Sequence, residues 1–267
     1  MHYSYNHAII DILQEIPFSI WNRIVQYEPE WRYFNSIKHR FANHIWQVIY
    51  IMMGLNAYQL KGRAEEGYWL PLSNYLANLP LNSPLTLIQA CFLDFYKFER
   101  LPKNKIKRVH RFCSSRLFQE LVNNDTKSNN IPSIPYIWNQ LAQTMKQNPT
   151  DKTIVFALKC LGVHLLMEQV SGLDFSTIPI PVDSRIRQTT ARLTSLILSD
   201  KAIQNFWSSI LHQINQHLQT QITMIHLDSL LWQISLLQKE ELGDYCTTLG
   251  LGGVESDLAN VLFIEEK

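Results

Sequence analysis

Apolar residues along this 267-residue chain recur at three- and four-residue intervals rather than in alternation. That spacing lays them on one face of a helix and does not suit a strand. The pattern predicts helices near 6–27, 36–60, 65–78, 84–98, 105–122, 133–147, 150–170, 184–198, 201–219 and 226–239. Pro17, Pro29, Pro84, Pro102 and the Ile131-Pro-Ser-Ile-Pro135 run separate them, because proline cannot continue a helix begun before it. The stretch Asn123–Asn130, NNDTKSNN, reads as a polar surface loop. No repeat and no strong hairpin signal stands out. The expectation is an all-α fold: a two-lobed orthogonal helical array rather than a long bundle, occupying 1–267 as a single domain with a central cleft.

Composition keeps this picture. With 46% hydrophobic and 18% charged residues the chain can bury a sizeable core. The longest apolar run, Ile45 to Tyr58, is interrupted by Gln47, Gly54 and Asn56 and falls short of the roughly 20 apolar residues of a membrane span. The opening MHYSYNHAIID has no basic segment leading into an apolar one, so no secretory signal is expected. Cys91, Cys113, Cys160 and Cys246 are widely spaced and form no CxxC. They read as reduced, buried thiols of an intracellular protein, without the clustering an iron–sulfur centre requires.

Charge changes the picture more. The whole chain is only +1, yet residues 97–111, KFERLPKNKIKRVHR, hold seven Lys/Arg against one Glu. A basic strip on an otherwise mildly acidic chain suits a polyanion, because each cation beside a phosphate releases condensed counterions. A merely solvated helix face has the same composition.

Four motifs carry candidate chemistry. In Asn148-Pro-Thr-Asp-Lys152, Asn148 is placed to cap a helix, Pro149 fits its first position and Asp151 its first turn. Lys152 faces the positive end of the helix dipole, which favours the neutral amine that a lysine nucleophile needs. An exposed lysine tolerates that position at small cost. Phe156 and Lys159 follow at i+4 and i+7 and share its face. Lys159 lies in the apolar run VFALKCLGVHLLM, so it must be paired, neutral or reaching to the surface. Asp228 and Trp232, at i and i+4, set a hydrogen-bond acceptor beside a flat ring, as a purine pocket requires; a capping acid before a core tryptophan looks the same. In IPIPVDSR, two prolines stiffen the approach to Asp183, which stands at a helix start. Capping backbone N–H groups would lock this carboxylate, and capping alone is also a sufficient reason for it.

Taken together, KTIVFALK (152–159), IPIPVDSRIRQ (178–188), HLDSLLW (226–232), the run 37–69 and the basic strip resemble the archaeal-type 8-oxoguanine DNA glycosylase/AP lyases. These are a divergent branch of the helix-hairpin-helix base-excision superfamily, and the resemblance spans roughly 28–240. It implies the following roles. Lys152 is the Schiff-base nucleophile and Asp183 the catalytic carboxylate. Phe156 and Trp232 sandwich an extruded base, Lys159 and Asp228 hydrogen-bond it, and Trp69 lines the pocket. Where relatives place a base-contacting glutamine, this chain has Glu30, and a glutamate donates only when protonated. Lys103, Lys105, Lys107, Arg108 and Arg111 of the strip would meet the phosphate backbone. The glycines of a standard hairpin turn are missing from 141–152.

The implied partner is damaged DNA, single- or double-stranded, bound by a monomer in the cytoplasm or nucleoid. No cofactor and no metal are expected. The nine histidines include no HExxH, and the pairs His39/His44 and His212/His217 are five apart, on different helix faces. Two competing expectations stand beside the enzyme. One is a catalytically silent DNA-binding protein with the same strip and cleft. The other is a helical scaffold for protein partners, for which the strip and the acid–aromatic pairs have no use.

Overall fold

The computed structural model describes residues 2–123, 131–218, 221–235, 237–251 and 255–262, and the rest of the expected 123–130 loop lies outside them. Among the described residues there is no strand, and the all-α expectation holds. Pro17 splits the first periodic stretch into α1 (His2–Gln14) and α2 (Phe18–Gln26). The next helix, α3 (Pro29–Asn35), is too short for periodicity to reveal and starts on its proline. Then come α4 (Asn43–Asn56), a π-helical turn (Glu65–Trp69) running into α5 (Leu70–Ala77), and α6 (Leu85–Tyr96). The stretch expected as one helix at 105–122 is two, α7 (Pro102–Cys113) and α8 (Arg116–Val122). The break falls at Ser115, whose hydroxyl accepts from Phe118 N at 3.1 Å and caps the second. The chain continues with α9 (Ile134–Met145), α10 (Lys152–Met167), α11 (Ser184–Thr194), α12 (Asp200–His217), α13 (Met224–Ile234), α14 (Lys239–Leu249) and α15 (Glu255–Leu262). The last two carry no helix in the periodic pattern.

The chain divides into two compact units. A central unit runs from Glu28 to Thr177, and a split unit combines residues 1–27 with 178–267. In the central unit α4 and α10 pack together over their length. Every residue of α4 from Trp46 to Asn56 is buried. Gly54 makes the close approach possible: a Cβ there would come within 2.6 Å of the Ala157 backbone. The helix bearing Lys152, Phe156 and Lys159 is thus seated against an almost fully buried partner. In the split unit α13 packs on α2, α11 and α12. Gln233 Nε2 of α13 donates to Ile24 O of α2 at 2.9 Å, and Trp207 of α12 donates to Thr190 Oγ1 of α11 at 2.8 Å, tying α12 to α11.

Among the described residues no helix is long and apolar enough to cross a membrane. All four cysteines are free thiols; Cys113 is half-buried rather than buried as expected.

Candidate functional site

In the central unit, α10 begins at Lys152 itself. Asp151, not Asn148, is the N-cap residue, and its side chain makes no capping bond; it accepts instead from Asn148 N at 3.2 Å and Gln147 Nε2 at 3.3 Å. The turn before it is built without glycine: Lys146 takes the left-handed conformation (φ 54°) that closes α9. Trp138 Nε1 donates to Pro149 O at 2.6 Å across the same turn. Lys152 is exposed, Phe156 half-buried and Lys159 buried, so their shared face runs from solvent into the core.

Inside, Lys159 Nζ lies 3.0 Å from Glu28 Oε1, with both side chains 1% exposed, and 5.5 Å from the Phe156 ring centre. Trp69, at the end of the π-helical turn, packs its ring 6.4 Å from Phe156. Glu30, two residues past Glu28 on α3, is buried as well, and its Oε2 finds no hydrogen-bond partner. Burial first, and Glu28's charge second, hold the Glu30 carboxyl well above the usual range, against the pull of Lys159. Two buried carboxylates beside one ammonium leave a net negative charge, which disfavours ionisation of the acid outside the ion pair. The shift runs toward the protonated form, the one in which a carboxyl can donate as an amide does.

The basic strip divides. Lys103 and Lys107 are exposed, as a phosphate-facing role requires. Lys105 does not fit the expectation: it is fully buried, its Nζ 2.9 Å from Glu99 Oε2 and 5.5–5.9 Å from the ring centres of Tyr58, Tyr68 and Tyr96. Its position on α7 explains this, since Lys105, Val109 and Phe112 form the buried stripe at i, i+4 and i+7. Arg108 and Arg111 are half-buried and already engaged. Arg108 donates to Gln147 Oε1 at 2.7 Å and Thr153 Oγ1 at 3.0 Å, and Arg111 to Met145 O at 2.9 Å. They brace α7 against the α9–α10 turn that presents Lys152.

In the split unit, residues 178–182 are buried and non-helical, and they deliver Asp183 to the N-cap of α11. Its Oδ1 accepts from both Arg185 N and Ile186 N at 2.9 Å, and neither bond uses Oδ2. The carboxylate is thus oriented with one oxygen left out of the capping bonds. Asp228 is not a cap: Thr223 caps α13, with His226 closing a capping box, and Asp228 sits buried within the helix. Trp232, one turn on, is half-buried, and the Arg185 guanidinium lies over its ring, 4.4 Å from the centre. One side of the indole is therefore already stacked.

The structure brings Phe156, Lys159, Trp69 and Glu30 together in the central unit; in the split unit Arg185 donates its backbone N–H to Asp183 and lays its guanidinium over Trp232. Three participants escaped sequence reasoning: Glu28, Glu99 and Arg185. For the first two a signal existed, because a lysine on an apolar face must find an acid, but the sequence does not say which. Among the described residues no group of three or more His, Cys, Asp or Glu is placed to hold a metal ion.

Residues 10–249 match the AGOG family, described as N-glycosylase/DNA lyase. An N-glycosylase/DNA lyase of Methanopyrus kandleri is 32% identical over 183 residues, covering 67% of this chain and 68% of that protein. The enzyme of the same name from Thermococcus kodakarensis is 28% identical over 215 residues, covering 75% and 73%. Among solved structures, the 8-oxoguanine DNA glycosylase of Pyrobaculum aerophilum, crystallised with 8-oxoguanosine, shares the fold with a TM-score of 0.70. That match runs over 87% of this chain and 88% of the other at 20% identity.

Proposed function

The chain belongs to the AGOG family of N-glycosylase/DNA lyases, and from that premise we propose that it excises 8-oxoguanine from DNA with Lys152 as nucleophile and then nicks the strand. One observation carries the assignment of Lys152. Within the matched region it heads α10 as an exposed amine, and the same helix face continues into Phe156 and the buried Lys159–Glu28 pair. An exposed amine on the same helix face as an aromatic ring and a buried polar pair suits attack on a sugar whose base is lodged against that face.

A base within a duplex shields its glycosidic carbon, so the nucleotide must first be extruded. Phe156 and Trp232 stack the base; such stacking contributes about 1–3 kcal/mol per base in nucleic-acid binders. With Arg185 over one side of Trp232, the base takes the other side. Lys159, Asp228 and Glu30 read its edge, and Trp69 backs Phe156. The oxidised base differs from guanine by an N7–H donor, and a site that leaves a buried acceptor unpaired when that donor is missing discriminates strongly.

The Lys152 amine attacks C1′ and the bond to the base breaks. Asp183 takes up the proton the amine gives up and balances positive charge developing on the sugar. The sugar ring then opens to a Schiff base on Lys152. Loss of a C2′ proton and departure of the 3′-phosphate complete β-elimination. Lys103 and Lys107 hold the backbone meanwhile.

Borohydride reduction of the reacting mixture tests this. On a duplex with one 8-oxoguanine, the wild type should give a covalent protein–DNA band and Lys152→Gln none. A wild type that binds DNA with a steep salt dependence but never traps would favour the silent-binder alternative instead.

A further inference from the structure

At the start of α3 two acids meet one lysine. Glu28, the N-cap residue, holds Lys159 Nζ at 3.0 Å. Glu30 lies beside this pair, 2% exposed, and its Oε2 has no hydrogen-bond partner among the described residues. Lys159 draws Glu30 toward ionisation, but burial and the charge of Glu28 work against it. The surroundings are aromatic: Phe156 is 5.5 Å from Lys159 Nζ, Trp69 is 6.4 Å from Phe156, and Phe34 meets Trp69 edge-on at 6.3 Å. From α4 the Tyr50 phenol donates to Glu30 O at 2.8 Å, with His164 stacked on it and Cys160 and Glu168 beyond. On the π-helical turn Glu65 is turned to Arg32 at the surface. Burial pushes Tyr50 up and His164 down to about 4, so neither brings a charge to Glu30 near neutral pH.

A buried acid with one oxygen unbonded, set among ring faces, is a receptor short of one positive charge. A cation suits both parts, since it pairs with the carboxylate and is drawn to the π faces. We propose that the site takes a second class of damaged base, an N-alkylated purine carrying a formal positive charge, and that Glu30 is the residue that selects it. This rests on the base-extruding function proposed above. A glutamine at this position would supply hydrogen bonds without the charge. The chemistry stays that of Lys152. Its nitrogen bonds to C1′, the C1′–N9 bond breaks, and the electron pair returns to the base and cancels its charge. The proton of the amine goes to Asp183, so the base departs neutral. A cation arriving beside Glu30 also displaces the proton that burial and Glu28 favour there. Binding of a cationic base should therefore strengthen as pH rises, and binding of a neutral base should not.

The test uses the full chain and duplexes carrying one 1-methyladenine or one 1-methylhypoxanthine. These bases share a shape and are equally barred from pairing, but the first is cationic and the second neutral. A 2′-fluoroarabino sugar at the lesion blocks excision for binding measurements, and an ordinary deoxyribose is used for excision. Wild type should bind 1-methyladenine about ten- to hundredfold more tightly than 1-methylhypoxanthine, the range of one charged hydrogen bond. That gap should widen between about pH 6 and about pH 8, and 1-methyladenine should be released from the deoxyribose duplex. Glu30→Gln should close the gap and remove its pH dependence. The proposal is overturned if wild type binds the two alike, if the gap survives Glu30→Gln, or if no 1-methyladenine is released. Where 8-oxoguanine is still bound in preference to guanine, that failure belongs to this inference alone. A wild type that distinguishes no damaged base from its normal counterpart overturns the base-extruding reading as well.

Discussion

In the central unit two of the telling charges are buried in ion pairs, Lys159 with Glu28 and Lys105 with Glu99. In the split unit Asp183 and Arg185 are half-exposed, the first held by two backbone amides and the second laid over an indole. The difference is one of coupling to stability. A buried ion pair has given up its hydration, so removing one partner leaves an uncompensated charge in the core. A capping carboxylate keeps its water, and its geometry survives exchange for another capping side chain. In the central unit the proposed base-reading Lys159 is therefore held by the kind of interaction that holds the fold, whereas in the split unit the proposed role of Asp183 is separable from its capping.

The largest expected effect tests that separation. Asparagine caps a helix as well as aspartate but neither accepts the amine's proton nor balances positive charge. Asp183→Asn should lower kcat/KM for excision about 10³- to 10⁴-fold, with a melting temperature within about 3 °C of wild type. A collapse in melting temperature would show that Asp183 is structural first. Next, Lys105→Ala should cost about 3–5 kcal/mol in urea unfolding by stranding Glu99, and replacing both partners, Lys105→Met with Glu99→Gln, should recover most of it. A loss below about 1 kcal/mol would mean the pair is hydrated like a surface ion pair, and the contrast between the units would fail.

The pH dependence sharpens the same comparison. Among the described residues each unit buries one histidine, His164 stacked on Tyr50 in the central unit and His226 in the α13 capping box of the split unit. Burial pushes each down to about 4. Both are neutral when folded and gain a proton on unfolding, so their contribution is present above about pH 6.5 and lost as pH falls toward 4, roughly 3 kcal/mol each. His226 fits the neutral form: Nδ1 accepts from Thr223 N at 3.1 Å, leaving Nε2 to donate to Asn22 Oδ1 at 3.2 Å. Glu30 works in the other direction. Its raised carboxyl contributes fully at low pH and loses that contribution as pH rises through its folded value. Urea midpoints followed against pH should show His164→Gln and His226→Gln each flattening the acid limb, and Glu30→Gln flattening the alkaline limb. An unchanged acid limb in both histidine variants would place its cause in the carboxylates.

Much of this was legible along the chain. The helix bearing Lys152, Phe156 and Lys159 followed from apolar spacing, and Asp183 as an N-cap from the proline-stiffened run before it. Lys105 was misread because the basic strip was judged by charge, while its register with Val109 and Phe112 already marked it for burial. Charge alone also did not reveal that Arg108 and Arg111 are half-buried and bonded to the α9–α10 turn. The short α3 escaped because seven residues do not complete two turns of a repeating pattern.

Local order in sequence determined what depends on local order: the all-helical class, most helix positions, the caps, and which side chains share a face. These follow from a 3.6-residue period and from hydrogen bonds that reach three or four residues. Only the tertiary structure decided which charges are buried and with whom. Lys159 meets Glu28 across 131 residues of chain, and no local period encodes that pairing. Because desolvation is a property of the surrounding packing, the same structure decided that the Glu30 carboxyl is pushed up and that Glu99 pairs inside while Phe98 faces out.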